Sequence, residues 1–304
     1  RSMATPRILI KIAAYRDPEL PKTIRSALAQ ADRPDRLRFA VVNQHDTAVD
    51  EISLKEWAGD SRFRVMDVVH TQTGGLGWAR HTCDSMWSDE EFTLQIDSHM
   101  RFDQGWDSAL VADWESRSDP RAVLTGYPKG YRFSDGVEVI EEDPGSVALF
   151  VSSVNEQGDS SLGGAPFTTP EQRVLLVAGG FQFAPGAASR EVPNDRRVQY
   201  GDELVHSLRL YTHGYNVYSP RVIPLAHFYL RAERSEVHLP SLDADDPEVI
   251  RMRANLRAVS VRANLEVLFG PTAELGTVRS RQAFHRNLVG YMHTPWPPSW
   301  PALS

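Results

Sequence analysis

Apolar residues come in short blocks along this chain, and the spacing inside each block separates strands from helices. Arg7 to Ala14 is a compact aliphatic run that predicts a strand, and Tyr15-Arg16-Asp17-Pro18-Glu19-Leu20 turns it into a helix from Leu20 to Ala31. In that turn Asp17 is the expected N-cap and Pro18 the expected first helical residue, because a carboxylate accepts orphan N–H groups and proline has none to lose. Leu37 to Asn43 reads as a second strand, so the chain opens with a βαβ unit whose parallel pair needs the helix as its crossover. A short helix is expected near Trp57 and a third strand from Phe63 to Val69. Gly74-Gly75-Leu76-Gly77-Trp78-Ala79-Arg80-His81 then leads into a helix ending near Asp89-Glu90-Glu91.

From Phe92 to Ile96, Leu94 and Ile96 alternate with Thr93 and Gln95 as in a half-buried strand, and the run ends in Asp97-Ser98-His99. Strands alternating with helices in this way predict a doubly wound α/β sheet, in which ligands bind beyond the carboxyl ends of the strands. Downstream the pattern predicts a helix from Asp107 to Arg117 and a strand from Ala122 to Tyr127. Asp135 to Pro170 reads as a loop-rich excursion with short strands around Val137–Ile140 and Ala148–Val151, its glycines, serines and prolines predicting mobile loops or a hairpin outside any hydrophobic core. Val174 to Phe183, with Gly179-Gly180 inside it, reads as strand, close backbone approach and strand again. Asp202 to Gly214 should be helical, and Asn216 to Ile223 a strand delivering Pro224-Leu225-Ala226-His227. Val249, Ile250, Met252, Leu256, Val259, Val261, Leu265 and Leu268 predict one or two amphipathic helices between Asp243 and Leu268, a candidate homo-oligomer interface. The tail from Thr294 to Pro301, rich in proline and tryptophan, suits neither a regular helix nor a central strand. No internal repeat is present. The expected division is a domain over residues 4–240 and a helical extension with its tail over 241–304.

Composition adds bounds. At 304 residues, with 41% hydrophobic and 24% charged positions, the chain can bury a substantial core as one large or two small domains. A net charge of -7 argues against a nucleic-acid or anionic-membrane surface. The single cysteine, Cys83, excludes an internal disulfide framework. No apolar run is long enough to span a bilayer and no signal-peptide pattern precedes Pro6, so a cytoplasmic protein is expected, with Met3 its initiator and Arg1-Ser2 extraneous.

Side chains two apart on a strand share a face, so Asp97 and His99 can point into one crevice while Ser98 turns away. An acid and an imidazole converging there make half of a divalent-metal site, which needs one more protein ligand and ligand oxygens. By itself the acid is as readily a turn or capping residue. His227, following a strand of the same sheet, is the natural third ligand; two imidazoles and a carboxylate suit Mn²⁺ and similar borderline ions. Two turns could hold an anion. In Ala13-Ala14-Tyr15-Arg16-Asp17, the small residues permit close approach, Tyr15 could stack on a base and Arg16 could pair a phosphate. Around Gly75, backbone could meet a diphosphate that Arg80 neutralises; the plainer readings are a capped βα turn and a loop needing positive φ. Asp202 and Glu203 put two carboxylates near the crevice, unless they serve only as helix caps.

Ile12 to Leu20, the Gly-Leu-Gly-Trp-Ala-Arg-His turn and Leu94 to Phe102 together resemble the cytoplasmic protein-hydroxyproline N-acetylglucosaminyltransferases, with the likeness running from about Ile8 to about Tyr229. The Asp-Ser-His triplet is similar to that of the mucin-type polypeptide GalNAc-transferases. The resemblance implies a GT-A (Rossmann-like) nucleotide-sugar glycosyltransferase domain. It implies Asp97, His99 and His227 as ligands of Mn²⁺ (or Mg²⁺). It places Ala13, Tyr15, Arg16 and Arg80 near the UDP, and Gly180, Asp202 and Glu203 about the donor sugar and acceptor edge. Ala14, Gly75, Asp97, Ser98 and Gly180 join the first four as candidates for holding the UDP-sugar, with Asp202 and Glu203 the candidate catalytic carboxylates. The activity so implied is retaining transfer of a sugar, GlcNAc first, from a UDP-sugar such as UDP-GlcNAc to a hydroxyl acceptor on a protein, peptide or small molecule. Two other classes compete. Non-haem oxygenases also use two histidines and a carboxylate, but on all-β double-stranded helices and usually in His-x-Asp order. A non-catalytic nucleotide-sugar-binding protein would keep the pocket without the turnover.

Overall fold

The computed structural model describes residues 6–143, 145, 147–156, 159–166, 172–229, 245–293, 297 and 301. The opening unit forms as its pattern predicts: strand β1 (Ile8–Tyr15), helix α1 (Leu20–Gln30) and strand β2 (Leu37–His45), with β1 and β2 parallel. Ile8, Leu9, Ile10 and Ile12 are fully buried, each contributing roughly 1.5–3 kcal/mol of apolar burial. That makes β1 the spine of the sheet, flanked by β2 on one side and by β4 (Phe92–Ile96) on the other.

Strand β3 (Phe63–Val69) closes one edge, and helix α2 (Gly75–Ser85) packs on β1 and β2. After β4 come β5 (Met100–Phe102), helix α3 (Trp106–Ser116), β6 (Ala122–Thr125), and the antiparallel pairs β7 (Lys129–Ser134) with β8 (Val137–Ile140) and β9 (Val147–Val154) with β10 (Ser160–Pro166). Then follow β11 (Arg173–Val174), β12 (Phe181–Pro185), the short α4 (Ala188–Glu191), α5 (Asp202–Thr212), β13 (Asn216–Tyr218), β14 (Leu225–His227), α6 (Pro247–Phe269) and α7 (Arg281–Leu288). Among the described residues one sheet has eight strands in the order β11-β13-β6-β12-β4-β1-β2-β3, and a smaller sheet runs β5-β14-β7-β8. The large sheet is mixed: β12 lies antiparallel between β4 and β6, and β11 antiparallel to β13.

Several expectations shift. The first helix starts at Leu20 with Glu19 at its cap, so Asp17 is not the N-cap; its carboxylate accepts the Glu19 N–H at 2.9 Å and is otherwise turned inward. The helix before β4 ends at Ser85, short of the acidic Asp89-Glu90-Glu91. The strand expected over Asn216 to Ile223 stops at Tyr218, and a separate strand carries Leu225 to His227. The excursion over 135–170 is not merely loops outside a core: Leu149 and Val151 of β9 are buried with Leu204, Leu208, Val267 and Phe284 of the helices. One helix, α6, spans most of the segment read as one or two, and its second half packs on α5 through Ala263, Val267 and Leu268. Most of the proline- and tryptophan-rich tail lies outside the described residues.

Candidate metal and sugar-donor site

Two short strands bring the distant histidine home. Strand β14 pairs antiparallel with β5 so that His227 lies opposite Met100, and the Phe228 N–H donates to the His99 carbonyl at 3.2 Å. The imidazoles of His99 and His227 therefore meet edge to face, with ring centroids 4.7 Å apart. Asp97, Ser98 and His99 occupy a bend between β4 and β5, so strand alternation alone does not aim them. The β5–β14 pairing and the contacts of each side chain do. Asp97 faces His227 at 3.0 Å, and one ligand atom from each of Asp97, His99 and His227 lies within 4.8 Å of the others.

The orientation of His99 comes from Asp17. Its carboxylate oxygen Oδ2 takes the His99 Nδ1–H at 2.7 Å and the Ser98 hydroxyl at 2.5 Å, in surroundings that leave Asp17 1% exposed. A carboxylate on Nδ1 fixes the imidazole tautomer in which Nε2 is the ligating nitrogen, a common arrangement behind metal-binding histidines. The donor set, its spacing and this support fit a borderline divalent cation such as Mn²⁺ better than the harder, oxygen-seeking Mg²⁺.

Arg80 reaches the site from the first half of α2. Its guanidinium pairs with Asp202 and lies 3.5 Å from Asp97 Oδ1, and although burial opposes its charge, Asp202 first and then Asp97 hold it above its ordinary value. Burial likewise opposes ionisation of Asp97, but His227, His99 and Arg80 outweigh it, and the carboxyl sits well below its usual range. Glu203 goes the other way: burial, then the Asp202 charge, push it up to about 8. Its Oε1 accepts the Gly179 N–H at 2.7 Å. Gly180 stands where a Cβ would come within 2.7 Å of Asp97 Oδ2, so only glycine leaves that carboxylate its place.

The remaining sequence-predicted residues divide. Ala13, Ala14 and Tyr15 end β1, with Tyr15 edge-on to His70 at 6.1 Å and beneath the Arg253 guanidinium at 5.9 Å. Arg16, in the left-handed region at φ 46, holds Asp50 through two contacts of 2.8 Å, and Ser98 serves Asp17. Gly75, at φ 85, abuts Gln199 and Leu256 of α6. Asp202 opens α5 but gives its carboxylate to Arg80. Sequence reasoning missed Asp17 as a site residue, since an acid before proline reads as a cap. It also missed Tyr127 and Tyr229, whose phenols burial keeps protonated beside Glu203 and Asp97.

The sheet order, the Asp-x-His bend and this cluster can be set beside known proteins. A family model described as Glycosyltransferase (GlcNAc) matches residues 7–56 and 53–281, most of the chain. The chain belongs to that family. Its match extends through α6, into the stretch for which the sequence motifs offered no relative. Among solved structures the chain is similar to GalNAc-T7, solved with UDP, GalNAc and Mn²⁺, at 14% identity and TM-score 0.59, covering 74% of this chain and 43% of that one. It is also similar to residues 1–349 of TarS from S. aureus, solved with UDP, at 13% identity and TM-score 0.53, covering 94% and 70% of the two chains. This chain thus spans less than half the length of the GalNAc-T7 chain. These likenesses show a GT-A fold. No curated protein sequence matches the chain. A mixed α/β sheet under a glycosyltransferase family model sets aside the oxygenase reading, which requires an all-β frame. Among the described residues no helix is long and apolar enough to cross a membrane.

Proposed function

We propose that this family member is a metal-dependent, retaining glycosyltransferase that moves a sugar, GlcNAc by preference, from a UDP-sugar to a hydroxyl acceptor. The observation that carries the reading is the convergence of Asp97, His99 and His227 with Asp17 behind His99. GlcNAc is favoured by the family description, UDP by the ligands of both neighbours, and Mn²⁺ over Mg²⁺ by the two imidazoles and by GalNAc-T7. A hydroxyproline-bearing protein in the cytoplasm is the acceptor that the motif resemblance favours.

Bound by Asp97, His99 and His227, the cation would supply positive charge against the two phosphates as the leaving group gains negative charge. Arg80 adds a fixed guanidinium beside Asp97, held in place by Asp202. Glu203, its carboxyl raised by burial, is placed to hydrogen-bond a sugar hydroxyl, while the phenol of Tyr127 stays un-ionised beside it. Transfer proceeds on the front face: the acceptor oxygen bonds to the anomeric carbon as the bond to phosphate breaks, and the departing phosphate oxygen takes the acceptor proton. Asp202 and Glu203 orient the sugar and form no bond to it. The test is a screen of UDP-sugars for Mn²⁺-dependent turnover by the native protein and by His227→Ala, followed by product anomer analysis. Turnover lost on chelation and in the variant, with retained configuration, is the expected result. Turnover indifferent to both, tight UDP-sugar binding with none, or a glycosyl adduct on Asp202 or Glu203 overturns the proposal in turn as to metal, catalysis or route.

A further inference from the structure

A cavity lies at the β11–β13 edge of the large sheet, away from the Asp97 cluster. Strand β13 is three places from β4 in the sheet order and runs in the same direction, so Asn216, its first residue, marks the end away from Asp97. At about 4.8 Å per strand the lateral offset alone is roughly 14 Å. The cavity encloses about 340 Å³ and is lined by Arg173, Leu175, Tyr211, Tyr215, Arg279 and Tyr291 among others.

Its chemistry is unusual for a chain of net charge -7. Arg173 and Arg279 both donate through Nη2 to one acceptor, Asn216 Oδ1, the second at 2.5 Å. Two donors on one oxygen stand no more than roughly 6 Å apart. Among the described residues neither guanidinium has a carboxylate within ion-pair distance. The acid nearest in the network, Asp119, is engaged from the far side by Asn216 Nδ2 at 2.7 Å and the Tyr218 hydroxyl at 3.0 Å. An amide oxygen carries only a partial charge, and two cations sharing it are left under-compensated. Burial and the neighbouring Arg173 accordingly draw Arg279 below its ordinary value. The Arg279 guanidinium is also fixed in place, by the Tyr215 carbonyl at 2.9 Å and by the Tyr211 ring, 4.9 Å from its centroid. The pocket thus offers two ordered forks, a wall of phenol rings and the apolar Leu175.

We infer that this cavity binds a small organic anion whose phosphate or carboxylate takes both guanidinium groups and whose ring lies against Tyr211 and Tyr291. Planar forks match either anion bidentately, and the aromatic wall favours a ring-bearing body over a bare ion. The volume, near the lower end of ligand pockets at roughly 300–1,000 Å³, suits a single-ring compound. This site is separate from the metal cluster and independent of the sugar-transfer reading.

Phenyl phosphate and benzoate, titrated calorimetrically into the full chain at low salt, test it and separate the two anions. One-to-one saturable binding of either is expected, at least tenfold weaker in Arg173→Gln and in Arg279→Gln, and unaffected by saturating UDP with Mn²⁺. Arg279 also braces the backbone at Tyr215, so its variant is informative only if it stays folded. The exposed Arg173, whose side chain among the described residues hydrogen-bonds only to Asn216, keeps the test decisive. Absence of saturable binding by both probes, binding unchanged in Arg173→Gln, or displacement by UDP would overturn the inference.

Discussion

Asp17→Asn is the sharpest probe of the proposed metal site, because it changes one atom type and no volume. In the native arrangement Oδ1 accepts the Glu19 N–H while Oδ2 accepts both Ser98 and His99. An amide has one oxygen and one NH₂, so it cannot serve both sides. If the oxygen stays with Ser98 and His99, the NH₂ faces the Glu19 N–H donor to donor. If it flips, an NH₂ confronts His99 Nδ1 and favours the tautomer with its proton on Nε2, the nitrogen that must ligate. Loss of such a carboxylate behind a histidine ligand typically weakens metal affinity by about 10–100-fold, or about 1.4–2.8 kcal/mol. Mn²⁺ titration followed by calorimetry or electron spin resonance, on variant and native protein matched for folding by circular dichroism, measures it directly. A folded Asp17→Asn protein binding Mn²⁺ as tightly as the native one refutes the claim that Asp17 sets the ligand.

Three further outcomes are expected. Gly180→Ala crowds Asp97 Oδ2 at 2.7 Å and should lower Mn²⁺ affinity and turnover by at least about tenfold (1.4 kcal/mol), with a stability loss of about 1–3 kcal/mol in urea unfolding. Arg16→Ala strands the buried Asp50 and should destabilise the fold by about 3–5 kcal/mol, relieved in Arg16→Ala/Asp50→Asn; a stable Arg16→Ala protein with weakened UDP binding would instead give Arg16 to the phosphate. His206 on α5 is pushed down to about 3, first by burial and then by Arg209, with Asp84, Lys11 and Arg80 also nearby. The unfolded chain therefore takes up a proton that the folded one refuses, so stability is full above about pH 6.5 and falls as pH drops towards 3, by about 1.4 kcal/mol per pH unit from this group. His206→Gln should flatten that part of the pH–stability curve, and an unchanged slope would assign the loss elsewhere.

The βαβ opening was readable because its signal is local: eight residues of β1 leave no room for another period, and the helix after it repeats its apolar face. The cluster of Asp97, His99 and His227 was readable in residue type but not in geometry, since the bend at Asp97 to His99 breaks the alternation expected to align the first two. Asp17 escaped because its two roles, turn acceptor and partner of His99, look identical along a string; only the lateral pairing of β1 with β4 brings it near Ser98. Arg16 was read as open to a phosphate, since its partner Asp50 lies 34 positions on in a loop without periodicity. The burial of β9 was hidden for a similar reason: its covering helices α5, α6 and α7 come much later in the chain, and glycine- and serine-rich flanks masked the apolar faces they meet.

The contact between Asp97 and His227 joins positions 130 residues apart, and it depends on a three-residue strand finding β5. During synthesis, therefore, the cluster is incomplete until His227 has left the ribosome, and a product ending before Leu225 lacks one of its imidazoles altogether. Cation capture by the three side chains would then act as a late latch on the sheet, closing only after β14 has paired with β5.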